Sequence, residues 1–367
     1  MQQNDYELKR NDTKMMKGLA VLAMVVLHLF DTLDYQGKFT PLFQLNGLPL
    51  VFYFAQLSDF CVMAFAFCSG YAHMIQFKKP NYYKRRLIGL LGVYINFWIV
   101  LILFSIISIV FGNGASMPGS LRMFIGNFTT IHLSYNGAWW YILTYALIIV
   151  SSPLLLRLSN GSGKTKLIIV LAFMAVLYCT AYYERIRLNS SNWFLRQFGL
   201  YGMTAVEYMM GSIVCKHKLF TRVINGWNKV FRNNLINFCV SILLFVILLW
   251  GRTVVIQSLF FAPLSGLILL FLFQKARKPV WVEKCFLMLG NNSTNIWLTH
   301  MFFYLYIFVG LVYIAKYPIL ILLFMLAITL TVSLIINAIY RPIFKAVQNH
   351  LFPSTKLCIK LRKIAVK

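Results

Sequence analysis

Long apolar runs with few charges constrain this chain more than any other feature. The run "MMKGLAVLAMVVLHLF" at residues 15–30 interrupts its apolar character with only one lysine and one histidine. A helix of about 20 such residues crosses the hydrocarbon core of a bilayer. Only 12% of the residues are charged, whereas soluble proteins contain about a quarter. The sequence therefore predicts an all-α, polytopic membrane bundle of about ten helices. The predicted spans are residues 15–33, 49–77, 87–111, 137–156, 167–183, 197–215, 233–250, 254–274, 288–313 and 318–340.

The basic residues are distributed unevenly between the two sides of this predicted bundle. The formal net charge is +26, and 28 of the 35 Lys and Arg residues fall in the two tails and in alternate connections. The other seven fall in the remaining connections and are Lys38, Arg122, Arg185, Arg187, Arg196, Arg252 and Lys316. The positive-inside rule then places both termini in the cytoplasm. Topology and contact with anionic lipid headgroups explain the charge, so we expect no nucleic-acid partner. The predicted division is a cytoplasmic tail at 1–14, a transmembrane domain at 15–342 and a basic cytoplasmic tail at 343–367.

The common signatures of metal sites and soluble enzymes are missing from the sequence. Seven cysteines are scattered without a CxxC spacing, which predicts neither a metal site nor a disulfide framework. The chain contains no GxSxG, GxxxxGK[ST] or HExxH pattern. We therefore expect no tightly bound cofactor.

The first predicted span carries an imidazole and a carboxylate. His28 and Asp31 are three residues apart, so they are neighbours on one helix face. A carboxylate beside a histidine suits it to act as a general base. Lys17 precedes His28 by eleven residues, which places it on the same face about 16 Å nearer the cytoplasm. Alternatively, His28 hydrogen-bonds to a neighbouring helix and Lys17 only anchors the span at the membrane surface.

Further polar residues lie within the second, sixth and ninth predicted spans. Ionisable residues at membrane depth are costly, so they are candidates for binding or supporting roles. The alternatives are that Asp59 ends a helix in solvent, that Ser69 serves helix packing and that His300 is a core histidine. The candidate supporting residues in these spans are Asp59, Ser69, Glu207, Asn295 and His300.

A basic cluster stands where the third predicted span begins. Lys84, Arg85 and Arg86 follow two tyrosines in "YYKRRLIGLL". Such a cluster is either a topology anchor or a site for the phosphates of a cytoplasmic nucleotide or coenzyme, since Arg makes bidentate phosphate contacts.

The ordered set of these motifs resembles the acyltransferase 3 family of bacterial membrane acyltransferases. The resemblance runs from about residue 12 to 342. Because each motif is short, the resemblance rests on the order of the motifs along the chain. The motifs are "KGLA" at 17–20 followed by His28, "FAFCSG" at 65–70, "KRRL" at 84–87, the interval from Trp140 to Pro153, and "IWLTH" at 296–300.

The resemblance implies transfer of an acyl group, usually acetyl, from cytoplasmic acyl-CoA to a sugar hydroxyl outside the cell. The acceptor would be an exopolysaccharide, capsule or other surface glycan, and the enzyme a multi-pass protein of the bacterial plasma membrane. The resemblance is compatible with a homo-oligomer. His28 would take the acceptor proton or relay the acyl group, with Asp31 assisting. Trp140 would support the substrate. The residues implied to hold the donor's phosphates are Lys17, Lys84, Arg85 and Arg86.

The chain departs from the family pattern at three positions. Lys17 stands where members usually have arginine, which keeps the charge but loses the planar fork. Ala66 replaces a phenylalanine of the second motif, and Tyr145 stands where many members have an acidic residue. Asp31 or Glu207 could supply the missing carboxylate.

Two other functions fit the same pattern of residues. A transporter or flippase of polysaccharide or lipid-linked sugar would use His28 and Asp31 as a polar lining or proton relay, and it would not need acyl-CoA. A scaffold subunit of a polymer-assembly complex would tolerate the loss of every polar residue named above.

Overall fold

The fold is a bundle of α-helices, as the apolar runs predict. A computed structural model describes residues 5–254 and 259–351. Within these ranges, strand is limited to one antiparallel pair, β1 at Gln44–Leu45 and β2 at Leu48–Pro49. The helices are α1 at Arg10–Phe30, α2 at Leu50–Leu57, α3 at Cys61–Gln76, α4 at Tyr82–Val110, α5 at Leu121–Phe128, α6 at Trp140–Ser159, α7 at Lys164–Tyr182, α8 at Trp193–Lys216, α9 at Leu219–Val230, α10 at Asn234–Val254, α11 at Ala262–Lys275, α12 at Val280–Thr299 and α13 at Pro318–Leu351.

Seven segments of the described chain are long and apolar enough to cross a membrane. This confirms a multi-pass membrane bundle, while the total of ten spans and the cytoplasmic termini stay predictions. Residues 255–258 of the predicted span 254–274, and residues 352–367 of the predicted tail, lie outside the described ranges. The seven segments are Arg10–Phe30, Leu50–Gln76, Tyr82–Val110, Gly137–Ser159, Lys164–Leu188, Asn234–Val254 and Pro318–Leu351.

The ninth predicted span differs most from the structure. Helix α12 begins at Val280 and ends at Thr299, whereas the prediction placed a continuous helix at 288–313. The residues beyond it form two short 3₁₀ segments, His300–Phe303 and Leu311–Ala315. His300–Phe303 are buried whereas Leu305 and Val309 are exposed, and an apolar run by itself does not distinguish a helix from packed turns.

Helix α1 crosses α12 with its backbone in direct contact. A Cβ atom added to Gly18 would lie 2.1 Å from the carbonyl oxygen of Phe286, and one added to Gly290 would lie 1.9 Å from that of Lys14. Glycine at a crossing lets two helix backbones approach closely within a membrane. Because Gly18 and Gly290 lack side chains, the backbones of α1 and α12 pack in direct contact at this crossing.

The crossing of α3 and α8 has the same construction. A Cβ atom on Gly70 would lie 1.9 Å from the carbonyl oxygen of Tyr208, and one on Gly211 would lie 2.0 Å from that of Phe67. Gly70 therefore serves helix packing, which was one of the alternatives for the Ser69-Gly70 pair.

The far ends of α1 and α12 meet the beginning of α6. The rings of His28 and His300 lie 5.0 Å apart. The Trp139 indole N–H donates to the carbonyl oxygen of Leu298 (2.9 Å), and that of Trp297 donates to the carbonyl oxygen of Ala138 (2.9 Å). We call this region the histidine end of the bundle.

Lys17 lies toward the opposite side of the bundle, in the first half of α1. It acts electrostatically on His73, as does Arg86 in the first turns of α4. The two cations therefore lie in one region, which we call the lysine end.

We expect Gly18→Ala to destabilise the protein, because its methyl group would collide with backbone and force the helices apart. Overpacking of this kind costs about 1–3 kcal/mol or more. The measurement is thermal unfolding of the detergent-solubilised protein. Gly89→Ala is the matched control, since its Cβ would meet no atom within 4 Å. Equal melting temperatures for both variants would contradict a tight crossing.

Candidate active site

A cavity of about 410 Å³ lies between the helices and gathers polar side chains from α1, α2, α3 and α12 and from the turns beside them. Lys17 and His28 both line it, although they stand eleven residues apart along α1, which is about 16 Å of helix. The cavity therefore extends from the lysine end to the histidine end. Its polar lining residues are Lys17, His28, Asp31, Gln56, Asp59, Ser69, Arg185, Ser293 and Thr294, and its aromatic ones are Phe65, Trp140, Tyr141, Tyr145 and Trp297.

The cavity brings together half of the residues that the sequence singled out. The six that line it are Lys17, His28, Asp31, Asp59, Ser69 and Trp140. The six that do not are Lys84, Arg85, Arg86, Glu207, Asn295 and His300.

His28 faces the cavity with a second histidine behind it. Its ring is half-buried and lies at a tilt of 42° to the ring of His300. His300 is fully buried, and in its neutral form its Nδ1–H donates to the carbonyl oxygen of Trp297 (2.8 Å). Its Nε2 has no hydrogen-bond partner among the described residues. His300 therefore packs behind His28 and turns an acceptor nitrogen into the protein.

Asp31 does not pair with His28 as the three-residue spacing predicted. Helix α1 ends at Phe30, and Asp31 has already left the helical conformation with ψ 66°. The Gln56 amide donates to the Asp31 carboxylate instead, and no hydrogen bond joins Asp31 to His28 in the described chain. Partial burial raises the pKa of the Asp31 carboxyl, and the Gln56 hydrogen bond opposes that rise. Gln56, the one amide in the run "LVFYFAQL", was the available signal for this contact.

Asp59 forms a buried ion pair. Its carboxylate accepts a hydrogen bond from the Arg252 guanidinium at 2.9 Å, and both side chains are less than a tenth exposed. The alternative that Asp59 ends a helix in solvent is therefore wrong. Arg252 was counted in the sequence only as a loop charge, although an arginine at the end of the apolar run of α10 is itself a sign of a buried partner.

The basic residues of the lysine end divide into inward and exposed groups. Lys17 is half-buried and has no ion-pair partner in the described chain. Arg86 turns inward, where it donates to the Gln76 amide oxygen at 3.0 Å and keeps its buried Nε without a described partner. Lys84 and Arg85 are exposed.

Asn295 and Glu207 lie beside the cavity rather than in it. The Asn295 oxygen accepts from the Asn96 amide (2.6 Å), and its own amide donates to Asn337 (3.2 Å). This chain of amides ties α12 to α4 and α13.

Glu207 is buried on α8, and its Oε2 has no described partner. Its charge acts on Tyr141, which lines the cavity, and Tyr145 lines it where many family members have an acid.

The described ranges 5–254 and 259–351 contain no group of three or more His, Cys, Asp or Glu side chains placed to hold a metal ion. The His300 imidazole lies between the rings of His28 and Tyr304, with ring centres 5.0 and 6.3 Å away.

Comparison with known proteins assigns the family. The family model described as an acyltransferase domain matches residues 12–338, nearly the whole chain. The chain belongs to the acyltransferase 3 family. The match confirms the resemblance seen in the sequence, and it includes every residue that lines the cavity of this acyltransferase-family protein. Neither the comparison with curated proteins nor that with solved structures gives a match.

We expect Arg252→Met to destabilise the protein, because it leaves the Asp59 carboxylate buried without its cation. Breaking a buried ion pair on one side costs about 3–5 kcal/mol. Adding Asp59→Asn in the same chain should recover most of that loss. Thermal unfolding in detergent measures both effects, with Arg196→Met at an exposed position as the control. A double variant no more stable than the single one would contradict the pairing.

Proposed function

We propose that this protein is a membrane O-acyltransferase of the bacterial plasma membrane. It transfers an acyl group, in our proposal acetyl, from cytoplasmic acyl-CoA to a hydroxyl of a cell-surface or exported polysaccharide. The observation that supports this most is the single cavity that holds an unpaired cation at one end and an imidazole about 16 Å away along the same helix. A long anionic donor such as acyl-CoA needs a cation that binds its phosphate groups and a base near its thioester.

The donor enters at the lysine end in this proposal. Lys17 and Arg86 bind phosphate groups there, since both carry charge that no described carboxylate neutralises. Lys84 and Arg85 are exposed at the same end of α4 and attract the donor before it enters. The pantetheine arm then lies along the cavity, with the thioester near His28.

The acceptor hydroxyl meets the thioester at the histidine end. The His28 imidazole removes the hydroxyl proton as the oxygen attacks the carbonyl carbon. The carbon–sulfur bond breaks, the ester forms, and the thiolate of CoA takes the proton back from the imidazolium. Asp31, held by Gln56, lines the cavity at this end, and His300 restricts the orientation of the His28 ring. Ser69 and Asp59 line the passage between the two ends.

The extended cavity also fits the alternative of a transporter or flippase for polysaccharide or lipid-linked sugar. Its polar lining reaches from Lys17 to His28, about 16 Å along α1, and a sugar transporter also needs a polar lining within the membrane. Dependence on acyl-CoA separates the two functions, because transport of the sugar requires no thioester.

We expect His28→Ala to abolish transfer of labelled acetyl from acetyl-CoA to the polysaccharide, because no other imidazole lines the described cavity. General-base removal typically costs 10²- to 10⁴-fold in rate. Purified protein in detergent gives the rates, and His132→Ala in an exposed loop is the control. Retained transfer by folded His28→Ala protein would overturn the mechanism.

We expect Lys17→Met to raise KM for acetyl-CoA about tenfold or more, because one charged hydrogen bond to phosphate is worth about 1.5–3 kcal/mol. Lys17→Arg should keep KM low, since arginine retains the charge and adds a bidentate contact. Lys14→Met on the same helix, outside the cavity lining, is the matched control. Equal KM values for Lys17→Met and Lys14→Met would exclude the phosphate contact.

A further inference from the structure

Arg185 is a polar lining residue of the cavity that the sequence marked only as a loop charge. It stands in the π-helical turn Tyr183–Leu188 that follows α7. Turns of this kind occur often at functional sites, because they redirect a side chain out of the regular helical register. Here the turn directs Arg185 to the cavity.

The Arg185 guanidinium stacks on an aromatic ring and leaves most of its donors unused. It lies 4.9 Å from the ring centre of Trp140, and its Nη1 donates weakly to the Met203 sulfur at 3.9 Å. A guanidinium has five N–H donors. No ion pair involving Arg185 is present in residues 5–254 and 259–351. The remaining donors are therefore available to a molecule in the cavity.

The nearest relevant carboxylate does not neutralise this arginine. Arg185 and Glu207 do not come within ion-pair distance, and the Glu207 Oε2 has no described partner. Because no described carboxylate neutralises Arg185, its positive charge can attract an anion in the cavity.

Arg185 belongs to the histidine end, opposite the proposed donor-phosphate contacts. Its stacking partner Trp140 is the first residue of α6. The residues just before it are tied to the end of α12 through the hydrogen bond from Trp297 to Ala138. His28 meets the same end of α12 through His300. The cavity therefore has one cation for each substrate, Lys17 at one end and Arg185 at the other.

We infer that Arg185 and Trp140 form the acceptor subsite, and that the acceptor glycan carries an acidic group close to the hydroxyl that is acylated. The guanidinium binds a carboxylate or phosphate bidentately. The Trp140 ring provides an apolar surface for the sugar beside it. This inference rests on the proposed acyltransferase function and adds the chemical class of the acceptor.

The experiment uses surface polysaccharide from a strain that lacks this protein, so that the acceptor is not yet acylated. It is offered to the purified full-length protein in three forms: native, with its carboxyl groups reduced to alcohols, and with its phosphates removed by hydrofluoric acid. Initial rates of labelled acetyl transfer are measured for each form. We expect removal of one kind of acidic group to lower kcat/KM at least tenfold, and the form affected identifies that group.

The variant Arg185→Gln tests whether the Arg185 side chain recognises the acidic group of the acceptor. We expect it to lower kcat/KM for the native acceptor to the level of the neutral form, with little change for the neutral form itself. Arg187→Gln, an exposed neighbour in the same turn, should behave as the unsubstituted protein. Arg185→Lys should recover part of the preference, because it restores the charge without the fork.

Binding of labelled acetyl-CoA separates this inference from the function on which it rests. Arg185→Gln protein should bind the donor as tightly as the unsubstituted protein. Equal transfer to native and neutral forms by the unsubstituted protein would overturn the inference while leaving the acyltransferase function intact. An equal loss on all forms by Arg185→Gln would also overturn it, since that indicates a structural role. Absence of His28-dependent transfer to any form would instead refute the proposed function.

Discussion

The backbone contact between α1 and α12 is the interaction on which the rest of this structure depends. Gly18 and Gly290 bring the two helices so close that neither can slide or rotate without a collision. His28 and His300 lie ten residues farther along their respective helices, and the same register brings their rings together. Within a membrane, helix packing relies on such close contacts, because lipid gives no hydrophobic drive for association. The position of the candidate base His28 therefore depends on glycine, which has no side chain, at positions 18 and 290.

Polar residues within the bundle fall into two groups, and the difference between them suggests their roles. The Asp59–Arg252 pair and the Asn96–Asn295–Asn337 chain satisfy one another, as buried polar groups must if the fold is to be stable. Lys17 and Arg185 have no such ion-pair partner in the described chain, and both line the cavity. Unsatisfied charge is costly within a membrane, so its retention beside a cavity indicates a ligand.

Much of the site followed from spacing along single helices. Lys17 and His28 lie eleven residues apart and both line the cavity, as helical periodicity predicts. The expected pairing of Asp31 with His28 was wrong because the helix ends one residue before Asp31, where the sequence becomes polar. Gln56, Arg252 and Arg185 were missed because each acquires its role from a residue distant in sequence, and pairwise contacts between helices leave no regular pattern in a single chain.

The sequence by itself determined that this chain forms a helical membrane bundle and that it belongs to the acyltransferase 3 family. Both conclusions depend on local information, namely apolar run length and the order of short motifs. Only the tertiary structure decided which polar residues neutralise each other and which face the cavity. That outcome depends on how helices cross, and crossings such as Gly18 on Phe286 arise from contacts between residues far apart in the chain.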